Sequence, residues 1–191
     1  AATCASRVGL GLVACMAGSP ELRDPGHRYV FPVRAGHREE FASLVDQALR
    51  YGMGRVAFVH ADSDTGRRHL ENVRRLFAER GRELAMAVVL PANPGPADLK
   101  AIARRLAQQR IEAVFNHGAY GTYAQLLHEV RALGATPQFM AVNSGAQQMV
   151  QRLGKEAQGL IFTQVVPFPW GPERPIVREY QAALRRLDPA E

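Results

Sequence analysis

Arg55-Val56-Ala57-Phe58-Val59-His60, followed by Asp62-Ser63-Asp64-Thr65-Gly66, decides the fold. Val56 to His60 is a short run of β-branched and aromatic residues, as a strand requires. The polar, glycine-containing segment after it then opens a helix with Leu70, Val73, Leu76 and Phe77 on one face, ending at Gly81. Downstream the same strand-then-helix unit recurs. Leu84 to Leu90 predicts a strand, and a helix carries Leu99, Ile102, Ala103 and Leu106. Ala113 to Asn116 predicts the next strand, and its helix carries Leu126, Leu127 and Val130 before closing at Gly134. Phe139 to Val142 leads to Asn143-Ser144-Gly145 and a short helix, and Leu160 to Thr163 predicts the last strand.

These strands lack a clean two-residue alternation, which is how strands covered on both faces read. Strands alternating with helices call for parallel pairing through right-handed crossovers. The expected fold class is therefore α/β, a three-layer α/β/α parallel-sheet lobe, opened by a helix from His37 to Tyr51. The flanks differ. Val8 to Met16 reads as one strand, and Ala17 to Leu22 reads as a turn into a helix start. After Pro167 the chain is proline-rich and then gives a helix from about residue 174 to 187. Neither flank closes a core alone, so each is expected to be part of a second, partial lobe.

Composition narrows the class. The 191 residues are 47% hydrophobic and 22% charged, ordinary for a globular domain. No apolar run approaches the ~20 residues of a membrane helix. The opening Ala1-Ala2-Thr3-Cys4 has neither a methionine nor a signal pattern, so the chain is expected to be cut from a longer one. The net charge of +6 comes almost wholly from arginine, with Lys100 and Lys155 the only lysines. The pairs Arg67-Arg68, Arg74-Arg75, Arg104-Arg105 and Arg185-Arg186 fall on separate helices among acidic residues. Nucleic-acid binding needs its basic groups on one surface, so no nucleic-acid partner is expected. Cys4 and Cys15 are the only cysteines; alone they cannot build a zinc site, and whether they pair is open.

In an open parallel sheet ligands bind beyond the carboxyl ends of the strands. Those ends offer His60, Asp62, Asp64 and Thr65; Asn116, His117 and Tyr120; Asn143 and Ser144; and Thr163 with Gln164. Hydrogen-bonding and aromatic groups of this kind suit a small molecule. Each also has a plainer role. Asp62 to Asp64 can cap the helix that follows, Asn143-Ser144 can cap the next, and His60 and His117 can make structural hydrogen bonds. Phe168 and Trp170 either stiffen a connection or line a cleft. No GxSxG, Walker loop, HExxH or glycine-rich dinucleotide turn is present, so no catalysis, cofactor or metal is expected.

Four ordered segments carry a family resemblance. They are Met16 to Arg23, Arg28 to Arg34, Arg55 to Val59 with Asp64-Thr65-Gly66, and Gly159 to Pro169. Together they resemble the type I periplasmic binding proteins that serve branched-chain amino-acid importers. The resemblance implies two α/β lobes with a ligand between them. Residues 1–35 would be a remnant of the first lobe with a hinge crossing, 36–166 the complete second lobe, and 167–191 the return crossing with a first-lobe helix. It implies that Ala17, Gly18 and Ser19 hold the ligand's head group, which suits the free N–H groups of a helix start. It implies that Tyr120 covers the ligand. A tyrosine frequent in the family stands here as Thr65, and the carboxylate usual near residue 143 is Asn143. An asparagine forms no ion pair with an ammonium, which leaves an organic acid or amide open beside a zwitterion held by Asp62 or Asp64. The implied partners are a small polar solute and a membrane permease of an ABC importer, with a periplasmic location and hinge closure in place of bond chemistry. Two rivals are a ligand-sensing domain of a regulator with the same fold and an α/β oxidoreductase. The strand at Val8 to Cys15 would lack its sheet, so self-association or disorder of that flank is expected.

Overall fold

The computed structural model describes residues 7–13, 17–23, 26–143 and 145–187. Two sheets form. A two-stranded parallel sheet joins β1 (Leu12–Val13) to β2 (Val30–Phe31), in the register Leu12 to Val30. The main sheet holds β3 (Val56–Ala61), β4 (Met86–Leu90), β5 (Ala113–His117), β6 (Gln138–Ala141) and β7 (Ile161–Phe162). All its pairings are parallel, in the order β4-β3-β5-β6-β7.

Helices α1 (His37–Arg50) and α2 (Asp64–Ala78) cover one face, and α3 (Pro96–Gln108), α4 (Tyr120–Ala132) and α5 (Ala146–Leu153) the other. The side-chain alternation of β3 shows why its sequence reads as continuously apolar. Val56 and Phe58 pack with Phe41, Phe77 and Phe115 under α1 and α2. Ala57 and Val59 pack with Leu106, Leu126 and Val130 under α3 and α4. Phe41, Phe58, Phe77 and Phe115 are each fully buried, worth about 1.5–3 kcal/mol apiece relative to exposure. The fold is thus a three-layer α/β/α lobe with a partial second lobe beside it.

Local chemistry sets the boundaries. Ser63 is the residue that caps α2, its hydroxyl accepting the Gly66 N–H at 3.0 Å. The Asp98 carboxylate accepts the Gly95 N–H at 2.9 Å at the start of α3, and Pro96 stands where a missing N–H costs nothing. Gly81 and Gly134, at φ +64 and +73, end the turns after α2 and α4. A last helix, α6 (Pro175–Leu187), follows the proline-rich stretch.

The N-terminal flank departs from the expected strand at Val8 to Met16. Arg7 and Val8 lie in a helical turn that Gly9 ends at φ +67, and the strand begins only at Leu12. β1 also has a sheet partner, β2, so it is not the orphan its sequence implied. Residues 14–16, Cys15 among them, and Cys4 lie outside the described residues.

Candidate functional site

The chain reverses its direction of travel across the main sheet between β3 and β5. From β3 it steps outward to β4, then returns past β3 to β5 and continues to β6 and β7. At such a switch point the two flanking loops diverge and leave a crevice beyond the strand ends. The last register pair of β3 and β5 at this place is His60 with His117.

Two further histidines meet them. His37 begins α1 and His69 lies one turn into α2, on the buried stripe with Gly66, Val73, Leu76 and Phe77. His37 Nδ1 lies 3.3 Å from His69 Nε2, and the His69 and His117 rings are 3.9 Å apart between centroids. His37 and His117 are 5.3 Å apart and edge-on. Burial pushes the His69 imidazole down to about 3, and the rings of His117, His37 and His60 add to the shift. Burial likewise pushes His117 down to about 4, with His37 and His60 contributing. His37 is lowered too, by burial first, against the opposing pull of Glu40. Buried ring nitrogens of His60, His69 and His117 and the Asn116 side-chain oxygen make no hydrogen bond.

The turn Ala17-Gly18-Ser19 is seated over this cluster. The Gly18 carbonyl accepts the His37 N–H at 2.8 Å, and a Cβ on Gly18 would stand 2.3 Å from the His37 ring. Only glycine permits that approach. Arg23 anchors the turn, donating to the carbonyls of Ser19 at 3.0 Å, Ala17 at 3.4 Å and Arg34 at 2.6 Å.

The other predicted residues divide into two groups. Asp62 and Asp64 both accept from Arg67, at 2.8 and 2.7 Å, on an exposed corner at the start of α2, with Thr65 beside them. Tyr120 opens α4, is 42% exposed, and packs against Gly145, where a Cβ would approach its ring to 2.8 Å. Asn143 follows β6; its side-chain amide donates to Gln164 Oε1 at 3.1 Å beside a groove that Gly145, Gln147 and Phe162 also line. Ser144 lies outside the described residues. Phe168 and Trp170 are both largely exposed.

Three residues that matter here were not singled out from sequence. His37 and His69 carry no local motif, and Glu40 reads as an ordinary helix-face charge. Glu40 is 3% exposed. Its carboxylate pairs with Arg34 and accepts from the Asn143 N–H at 2.9 Å and the Thr163 hydroxyl. Among the described residues no helix is long and apolar enough to cross a membrane.

Comparison with known proteins agrees with this geometry. A model of the periplasmic binding protein family matches residues 9–191. An extracellular ligand-binding receptor from Verminephrobacter eiseniae ef01-2 is similar at 27% identity and a TM-score of 0.77, over 95% of this chain and 52% of its own. A possible leucine/isoleucine/valine-binding protein from Rhodopirellula baltica SH 1 is also 27% identical, with a TM-score of 0.78 over 98% of this chain and 52% of its own. A branched chain amino acid ABC transporter protein from Thermus thermophilus, solved with bound valine, shares the fold at 21% identity, with a TM-score of 0.78 over 98% of this chain and 49% of its own. The chain therefore spans about half the length of these relatives. No curated protein matches it. The family match over nearly the whole chain, joined to a parallel sheet whose switch point is roofed by a glycine turn, makes this chain a member of the periplasmic binding protein family.

Proposed function

We propose that the chain belongs to an extracytoplasmic solute-binding component of an ABC importer, which holds an amino acid or similar small polar solute between two lobes and closes on it by a hinge. The observation that carries this reading is the position of the Ala17-Gly18-Ser19 turn. It comes from outside the main sheet and rests on the carboxyl edge of that sheet, bound to His37 through Gly18. Residues 1–35 then belong to the first lobe with its crossing, 36–166 form the second lobe, and 167–191 return to the first. In this reading the ligand contacts are Ala17, Gly18, Ser19, Asp62, Asp64, Thr65, His117, Tyr120, Asn143 and Ser144. A ligand touching both lobes favours the closed state by its differential affinity, and a membrane permease recognises that state. No bond chemistry is involved.

The pairing of the carboxylates bears on the solute. Asp62 and Asp64 are held by Arg67, and Glu40 by Arg34. An ammonium group must compete with a guanidinium for each, so hydrogen bonding to a carboxylate or amide end of the solute is favoured. Titration calorimetry against a panel of amino acids, their amides and small dicarboxylates tests the reading. Saturable one-to-one binding of one panel member, weakened about tenfold or more (roughly 1.4 kcal/mol) by Tyr120→Ala, is the expected result. Flat titrations across the panel overturn it.

A further inference from the structure

Four of the six histidines of the chain gather at one place, the switch point of the main sheet. We propose that three of them, His37, His69 and His117, bind a divalent transition-metal ion of the Zn2+ class. Their donor atoms, one from each ring, all lie within 4.8 Å of one another. A four-coordinate ion with metal–nitrogen bonds of about 2.0–2.1 Å needs its donors about 3.3–3.4 Å apart. The His37 and His69 nitrogens already stand 3.3 Å apart. The His117 donor, within 4.8 Å of both, would complete the shell.

Hydrogen bonding alone does not account for the cluster. A neutral imidazole has one donor and one acceptor, so a proton shared between two rings serves one pair and leaves the third without a partner. The His117 Nδ1 is buried without a hydrogen-bond partner, and so is the Nδ1 of the fully buried His69, whose Nε2 faces His37. Leaving such a group unpaired costs about 1–3 kcal/mol. The carboxylate that acts on His37, that of Glu40, is committed to Arg34, Thr163 and the Asn143 backbone. A metal, by contrast, takes a lone pair from each of the three rings. Imidazole donors suit Zn2+, Ni2+ and Cu2+ rather than Mg2+ or Ca2+. The donors stand on three separate elements, α1, α2 and β5, whose packing fixes them before any ion arrives. Three protein ligands leave a fourth position for water.

The inference stands on these rings and does not require the solute reading, so each can fail without the other. The test uses the untagged chain, stripped with a chelator and titrated with Co2+ and then Zn2+. One equivalent of Co2+ per chain is expected, with the visible absorption of a four-coordinate ion, displaced by Zn2+. His37→Gln, at a partly exposed ring, and His117→Gln should each weaken binding by about 100-fold or more. His128→Gln, on the remote helical face where His128 meets Glu156, should leave it unchanged. His69→Gln risks the fold because that ring is buried, so the decision rests on His37→Gln with native circular dichroism. Absence of retained Co2+, or unaltered affinity in folded His37→Gln, overturns the proposal.

Discussion

The Thr163 hydroxyl donates to the buried Glu40 carboxylate at 2.5 Å, joining residues 123 apart in sequence. Arg34 pairs with the other oxygen of that carboxylate, and the Asn143 N–H donates at 2.9 Å to the same oxygen as Thr163. Arg34 follows β2, Thr163 follows β7 and Asn143 follows β6. One buried carboxylate therefore ties the segments that follow β2 and β7 to the end of β6. Charge-assisted bonds of this kind are about twice as strong as neutral ones.

Glu40→Gln should destabilise the protein by about 1–3 kcal/mol, because it weakens the buried charge-assisted bonds from Arg34, Thr163 and the Asn143 N–H. Urea unfolding measures this directly. Adding Arg34→Met should recover part of the loss, since it removes the buried charge that faced Glu40. A loss below about 1 kcal/mol in the single variant would show the node to be dispensable.

Two glycines predict different outcomes on replacement by alanine. At Gly66 the new Cβ would stand 2.1 Å from the Ala61 carbonyl oxygen, so the backbone of β3 or α2 must shift. Gly66→Ala should cost about 3 kcal/mol or more, or prevent folding. At Gly18 the clash is with the His37 ring, which can rotate away. Gly18→Ala should cost about 1 kcal/mol in stability yet change the His37 imidazole resonances by NMR. Equal melting temperatures for the two variants would contradict this.

Stability should fall on mild acidification of the metal-free protein. His69 titrates at about 3 and His117 at about 4, both below the value of 6.5 for an unperturbed histidine. The unfolded chain thus takes up protons first. The stability carried by the neutral rings is whole above pH 6.5 and is lost as the pH falls toward 4 and then 3. Because the unfolded histidine is half protonated at pH 6.5 and the slope approaches about 1.4 kcal/mol per pH unit only below it, each ring contributes a loss of roughly 1.5 kcal/mol between pH 6.5 and 5. The urea midpoint, measured with chelator present, should drop over this range, and by less in His117→Gln. A flat profile would show that the rings do not share a buried site.

Tyr123 gives a local check on the opposite face. Its hydroxyl donates to the Val114 carbonyl at 2.7 Å and lies 3.3 Å from that of Met140, bridging β5 and β6 from α4. Tyr123→Phe should cost about 1 kcal/mol in urea unfolding, and an unchanged midpoint would remove the bridge from the account.

The layered fold was legible because its signals are local. Gly81 and Gly134 mark turns at positive φ, and the apolar faces of α2 to α4 repeat at helical spacing. Val8 misled because an apolar residue beside a glycine reads equally well as strand or helical turn. The histidine cluster was not legible as a set, since its members come from α1, α2 and β5 and no motif spacing links them. One clue was present. His69 and Glu40 each occupy an apolar-stripe position of an amphipathic helix, His69 with Val73 and Glu40 with Phe41 and Leu44. A titratable residue on the buried stripe needs a partner from elsewhere in the fold, and sequence does not say which one.

Arg23 holds three carbonyl oxygens at once, two from the glycine turn and that of Arg34. Mechanically, this fastens the turn at Ala17 to Ser19 to the backbone of Arg34, so a displacement of either is passed to the other. The Gly18 to His37 hydrogen bond then couples the pair to the first residue of α1.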